Sequence, residues 1–259
     1  CGTRPRVRRI INGTSVGDNE YPWVVVIRKN GAYQCPGSLI TPKHVVTAAH
    51  CLTDVEASSF KVTPGAYRSP FKPDYEKKLY TVKAIHPHEK FDKNTYDNDI
   101  GLLELENPVA LNSEMQLICL PSSDNVDYSG TVGTALGWGR VQKNETAGLI
   151  PLQKVDVPIM SKEECLKTDY TNQDITENMF CAGYPEGGKD ACNGDSGGPL
   201  QVLREYNSYE LAGIISWGRG CGDAGNPGVY TKMTNYLYWL REYITDECPC
   251  RPHPTNTGL

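Results

Sequence analysis

The chain has 259 residues, ten of them cysteine, and a formal net charge of −5. That acidic balance speaks against a nucleic-acid surface. No apolar stretch approaches the ~20 residues of a membrane span, and without a Cys-x-x-Cys pair a zinc framework is not expected. The cysteines instead suggest an oxidising, secretory setting. The length admits two domains, although all-β chains of this size often form one unit. The start carries no signal peptide, as expected of a processed form.

Residues 1–9, Cys-Gly-Thr-Arg-Pro-Arg-Val-Arg-Arg, are basic and lack an apolar period, which fits either an anion-binding tail or a cleavable segment. From Tyr21 to about Asn112, short apolar runs are broken by Pro, Gly and Asp: Trp23–Ile27, Ser38–Ile40, His44–Val46, Leu79–Val82. A second set includes Thr134–Gly139, Gln153–Val157, Leu211–Trp217 and Gly228–Tyr230. Frequent short strands with turn signals predict an all-β architecture. Two sets predict two barrels with a cleft between them. Thr231–Glu247 reads as a helix, with Met233, Leu237, Leu240 and Ile244 on one face against the second barrel. His86-Pro87-His88 reads as an exposed loop rather than a ligand pair.

Three stretches carry chemistry. Asp190-Ala191-Cys192-Asn193-Gly194-Asp195-Ser196-Gly197-Gly198-Pro199-Leu200 surrounds one hydroxyl with small residues. The glycines permit a sharp turn and close approach of backbone to a ligand. A serine needs a base to become a nucleophile, so this stretch alone fits a Gly-rich turn equally well. His50, in Thr47-Ala48-Ala49-His50-Cys51, follows an apolar run and supplies a candidate base. Asp99, in Asp97-Asn98-Asp99-Ile100-Gly101, stands at the mouth of another strand and supplies a candidate orienter. Singly these would be a structural histidine and a turn aspartate. In the order His, Asp, Ser they match the requirements of nucleophilic acyl transfer.

From Ile10 to about Glu247 the sequence resembles the trypsin/chymotrypsin-like serine proteases, on these three motifs and their order. The resemblance implies an all-β fold of two antiparallel six-stranded β-barrels with a C-terminal helix. It implies a catalytic triad of His50, Asp99 and Ser196, with the Gly194 and Ser196 amides as an oxyanion hole. Asp190 stands where the trypsin branch keeps the acid of its specificity pocket, between wall glycines at Gly218 and Gly228, so Arg or Lys is expected before the scissile bond. Ala191 replaces a hydroxyl that helps bind lysine, which favours Arg, whose fork suits a carboxylate. Trp217 and Tyr96 would line the next subsites, and Ser216 and Gly218 would offer backbone to an extended peptide.

The same resemblance implies activation by cleavage between Arg9 and Ile10, the new amine pairing with Asp195. Residues 1–9 would then be an activation remnant, 10–247 the protease domain and 248–259 a tail. Implied disulfides are Cys1–Cys119, Cys35–Cys51, Cys165–Cys181 and Cys192–Cys221. Gly133 and Val202 stand where many relatives carry another. Cys248 and Cys250 could pair together, bond another chain or stay free. Asn12 and Asn144 head Asn-x-Thr sequons, candidate glycan acceptors.

Departures from the family pattern are Pro36 beside Cys35, Tyr33 in place of a histidine that stabilises some zymogens, and Ala66 where calcium-binding relatives place a carboxylate. Asp74 and Glu76 read as a solvated loop. No metal and no cofactor are expected. The implied partners are protein or peptide substrates with Arg or Lys before the cut, protein inhibitors and an activating protease, with no nucleic acid and no membrane. The expected setting is extracellular, in a clotting, immune or venom cascade. The competing readings are a non-catalytic homologue acting as a binding or cofactor protein, and a protease delivered to a partner through its tail.

Overall fold

The computed structural model describes residues 2–3, 16–53, 56–65, 79–139, 151–204 and 207–245. Cys1, Arg9, Ile10, Asn12, Ala66, Asp74, Glu76, Asn144, Cys248 and Cys250 lie outside the described residues, and with them the expectations that rest on them.

The first half contributes β1 (Val24–Lys29), β2 (Ala32–Thr41), β3 (His44–Thr47), β4 (Phe60–Pro64), β5 (Tyr80–Pro87) and β6 (Gly101–Leu105). They close into an antiparallel barrel in the order β1-β2-β3-β6-β5-β4. The second half contributes β7 (Val132–Gly137), β8 (Gln153–Pro158), β9 (Met179–Ala182), β10 (Pro199–Leu203), β11 (Tyr209–Trp217) and β12 (Gly228–Lys232). Their order is β8-β7-β10-β11-β12-β9. An isolated antiparallel bridge between Ile159 and Ala182 draws the two edges of this sheet together. The expected pair of six-stranded barrels is therefore present. β4, β9 and β10 escape a reading by apolar runs because Lys61 and Thr63 interrupt the first, the second is only four residues long, and the third opens on a proline. Proline is tolerated there because the first residue of a strand need not donate to the ladder.

Valine and isoleucine dominate β1 and β3, whose restricted side chains suit pleated, buried backbone. Trp23, Val45, Leu102, Trp138, Leu211 and Ile214 all belong to one buried cluster, so the two halves share a core rather than merely touching. One polar bond crosses it: the Trp23 indole N–H donates to Gln201 Oε1 at 2.7 Å, both residues fully buried. Gly133 and Val202, the positions without the extra disulfide, are register partners between β7 and β10.

Near its start the chain docks on the second half. Gly2 donates to the Leu117 carbonyl and accepts from Tyr209 N–H, and Thr3 bridges Ser208. Gly2 has φ +63°, and a Cβ there would lie 2.4 Å from the Tyr209 carbonyl oxygen and 2.9 Å from Sγ of buried Cys119.

Two sequence expectations are corrected. The helix expected over 231–247 is shorter: Thr231 and Lys232 end β12, a 3-10 turn spans Met233–Tyr236, and α2 covers only Leu237–Tyr243. (α1, Lys162–Cys165, is a single turn closed by a Ser161/Glu164 capping box.) The four expected apolar positions are all buried, but α2 also packs on the first barrel. His86, at the end of β5, stacks on Tyr243 with ring centroids 4.3 Å apart. His88 lies 5.2 Å from the Trp239 ring and 5.3 Å from Tyr236. The Trp239 N–H donates to Glu89. The His-Pro-His stretch is thus a half-buried seat for the helix rather than an exposed loop.

Burial is the main cause that lowers both imidazoles from the ordinary value of 6.5, against raising contributions from Glu104 at His86 and from Glu89, Asp97 and Glu242 at His88. The unfolded chain takes up protons more readily at these sites, so the stability they provide is complete above pH 6.5 and is lost as pH falls from there through the lowered folded values. Between pH 7.5 and 5 the wild-type thermal midpoint should drop relative to that of a His86→Phe/His88→Phe chain, a difference that cancels the opposite contribution of other buried groups common to both.

Candidate active site

The site lies where the halves meet. Just past β3, a 3-10 turn at Ala49–Cys51 presents His50, and the Cys35–Cys51 disulfide ties that turn to β2. Asp99 enters from the segment before β6 and is completely buried. Two left-handed residues shape its approach, Tyr96 at φ +59° and Asn98 at φ +57°. Asparagine tolerates this conformation, whereas for tyrosine it is uncommon. The Tyr96 ring meets the His50 ring edge-on, with centroids 5.6 Å apart.

Burying a carboxylate demands partners, and Asp99 has them from both halves. His50 donates its backbone N–H to Oδ1 at 2.9 Å, and His50 Nδ1 lies 2.8 Å from Oδ2. The Ser216 hydroxyl, on β11, donates to Oδ2 at 2.5 Å, and the Thr231 hydroxyl, on β12, donates to the Asp99 carbonyl at 2.7 Å. The bond at Nδ1 leaves Nε2 of His50 as the nitrogen available for proton exchange. The sequence reading expected only backbone from Ser216, and nothing in a single sequence announces its hydroxyl on Asp99.

Ser196 sits within a turn in which Gly194 has φ +101° and Gly197 φ +89°. A Cβ on Gly197 would stand 2.2 Å from Thr47 Oγ1, so the turn presses directly against β3. The Ser196 hydroxyl donates to the Ser216 carbonyl at 3.5 Å, and no bond joins it to His50 in this state. Catalytic bonds of this kind are often long or absent before substrate arrives. Among the described residues, neither the Gly194 nor the Ser196 amide donates a hydrogen bond. Two open N–H groups beside a hydroxyl form a small site of positive potential.

Asp195 turns away from Ser196 into the second half. Its carboxylate accepts from Gly139 N–H at 2.6 Å and from Cys192 N–H at 2.8 Å. Burial pushes this carboxyl up to about 6, with those two amides working against it. A Cβ at Gly137 or Gly139 would stand within about 2.5 Å of Asp195 carboxyl atoms, so both glycines are needed to wrap the group.

A slot opening beside Ser196 has Asp190, Ala191, Trp217, Gly218, Gly228 and Tyr230 among its walls. A Cβ on Gly218 would come 3.9 Å from the Cα of Gly228, and a Cβ on Gly228 would reach 2.8 Å from Asp190 Oδ1. Glycine at both places keeps the slot open to its base. There Asp190 Oδ2 accepts from Gly222 N–H at 3.0 Å, while Oδ1 is buried without a hydrogen-bond partner. Burial pushes this carboxyl too up to about 6, against the Gly222 amide. The Cys192–Cys221 disulfide braces the wall, and Cys165–Cys181 holds the neighbouring loop. That loop sets Tyr170 edge-on to Trp217, and Arg219 lies over Tyr170 while pairing with Asp174. Tyr170 and Arg219 were not read from the sequence.

Among the described residues one group has metal-ligand spacing, Cys35, His50 and Cys51, and its two sulfurs are bonded to each other. A disulfide offers no thiolate to a metal.

A carboxyl titrating near pH 6 at the base of the slot must ionise before it attracts a cation. If the slot takes a cation, binding of benzamidine, a flat one, should weaken about tenfold from pH 8 to pH 5. Fluorescence titration with an amino-substituted benzamidine would measure this, and Asp190→Asn should abolish the binding at every pH.

A family model described as Trypsin matches residues 10–240. "Serine protease filzig" of Drosophila melanogaster is 39% identical over 257 residues, covering 93% of this chain and 15% of its own length. "Transmembrane protease serine 5" of Homo sapiens is 34% identical over 249 residues, covering 95% of this chain and 54% of its own length. The chain therefore spans about half, or less, of these relatives. Among the described residues no helix is long and apolar enough to cross a membrane. With the two-barrel fold and this match over nearly its whole length, the chain belongs to the trypsin family of serine proteases.

Proposed function

We propose that the chain is an endopeptidase that cuts after Arg, and less readily after Lys, and works outside the cell once it has been cut between Arg9 and Ile10. The buried Asp190 carboxylate, with one oxygen unsatisfied at the base of a glycine-walled slot beside Ser196, is the observation that carries this reading. An apolar side chain would leave that oxygen buried and unpaired, whereas a guanidinium satisfies it and neutralises the charge. Ala191 contributes no hydroxyl for a lysine ammonium, which favours Arg.

In the proposed mechanism Ser196 Oγ attacks the scissile carbonyl carbon as His50 Nε2 takes its proton. The carbonyl oxygen becomes an anion held by the Gly194 and Ser196 amides. The imidazolium, steadied by Asp99, then passes its proton to the leaving amine, and water repeats the sequence to release the acid. Trp217 and Tyr96 would meet the preceding substrate residues, with Ser216 and Gly218 pairing to the extended backbone.

Cleavage at Arg9 would free the Ile10 amine. Asp195, buried and raised to about 6, is a group that such a cation would stabilise, and one of its two amide partners, Cys192, lines the slot. The three disulfides favour an oxidising extracellular setting. Protein inhibitors that present Arg or Lys in extended form, and an activating protease, are the expected partners. A regulated cascade is the setting that a tethered pro-segment favours.

The test is hydrolysis of matched peptides carrying Arg, Lys or Phe before the cut, with and without prior cleavage at Arg9. Turnover should appear after cleavage, in the order Arg, Lys, with Phe silent. Ser196→Ala should lower it by roughly 10⁴-fold or more, and Asp190→Asn should lower Arg turnover by on the order of 10³-fold. If Ile10 is exposed and no peptide is cut, the chain is a binding protein instead.

A further inference from the structure

Tyr33 lies on β2 in the first barrel, 161 positions from Gly194, yet its hydroxyl donates to the Gly194 carbonyl at 2.6 Å. Its ring meets Trp138, from the second half, edge-on at 6.4 Å. The next amide along, Asp195 N–H, donates to the Cys192 carbonyl at 2.9 Å. The Gly194–Asp195 peptide plane is therefore held at both polar ends, by Tyr33 on its oxygen and by Cys192 on its hydrogen. That plane adjoins the open Gly194 N–H. Gly194 itself, at φ +101° and without a Cβ, has little intrinsic resistance to rotation. With the following plane fixed, the Gly194 amide can turn only through its own φ and the ψ of Asn193.

We propose that Tyr33 is a positioning residue for the oxyanion site: its hydroxyl, reaching across the seam, holds the Gly194 amide aimed at the reacting oxygen. The inference rests on the proposed role of that amide. Burial, and secondly the charge of Asp195, keep the phenol neutral far into the alkaline range, so it remains a donor wherever the enzyme works. The side chain touches no substrate. Its effect would fall on the transition state and not on the slot, because Asp190 and the slot glycines are held by other contacts.

The test uses the chain cleaved at Arg9 and compares wild type with Tyr33→Phe, which keeps the ring on Trp138 and removes one oxygen. Three quantities are read: kcat on an Arg peptide, affinity for an Arg peptide aldehyde, and affinity for benzamidine. The aldehyde adds to Ser196 and places an oxyanion between the two amides, whereas benzamidine fills the slot alone. Losing a direct oxyanion donor costs about 10²–10³-fold, so losing its brace should lower kcat and aldehyde affinity together by about tenfold. KM and benzamidine affinity should stay within about twofold of wild type.

Unchanged kcat and aldehyde affinity would overturn the assignment, as would a parallel loss of benzamidine binding, which would mark general loosening. A chain with 3,5-difluorotyrosine at position 33 keeps the hydroxyl as a stronger donor and should retain wild-type kcat. A tenfold loss there would overturn the assignment whether or not the Phe variant folds. Wild type turning over the peptide and binding the aldehyde far more tightly than Ser196→Ala establishes the underlying reading, and Tyr33 is then judged alone. Failure of wild type on both counts removes that reading and the role of Tyr33 with it.

Discussion

A carboxylate with no exposure to water is the constraint on which the site depends. Asp99 belongs to the first half, but its charge is satisfied only by joining groups from both: His50 from the turn after β3, and Ser216 from β11, with Thr231 from β12 holding its carbonyl. Leaving such a group unpaired is among the costliest faults a fold can contain. The halves must therefore come together in one register for the chain to be stable, and that register places His50 near Ser196. Stability and geometry are enforced by the same bonds.

Two other carboxyls precede Ser196 in sequence and differ in their surroundings. Asp190 and Asp195 are both pushed up to about 6 by burial. Asp195 is enclosed, its two oxygens met by Gly139 and Cys192 and its sides wrapped by Gly137 and Gly139. Asp190 faces an open slot with one oxygen unmet. Similar burial with different enclosure fits the roles proposed for them, an internal cation at Asp195 and a visiting one at Asp190.

Much of this was legible in the sequence where the signal is local. The strands reveal themselves by β-branched runs between turn residues, as at Val24–Ile27 and His44–Val46, and the residues around His50, Asp99 and Ser196 form contiguous stretches of distinctive chemistry. What stayed hidden depends on partners far along the chain. Ser216 meets Asp99 across 117 positions and Tyr33 meets Gly194 across 161, distances at which no spacing rule operates. The helix was read too long because Thr231 and Lys232 continue β12 in register with β11, a tertiary pairing that overrides helical periodicity. His86 and His88 read as loop because the aromatic faces that cover them come from α2.

The disulfides within the described residues all stay on one side of the seam: Cys35–Cys51 in the first half, Cys165–Cys181 and Cys192–Cys221 in the second. These three bonds stiffen each half, and hydrogen bonds and a shared core align the two, among them Trp23 to Gln201 and Tyr33 to Gly194. His50 and Ser196, the proposed base and nucleophile, ride on separately braced halves. Because a misplacement of about 1 Å between reacting groups can cost 10²-fold in rate, turnover by the proposed mechanism would gauge how tightly the two halves are seated against each other. Anything that shears that seam, from a bound macromolecule at its edge to hydrostatic pressure, would register as a change in turnover before any loss of fold.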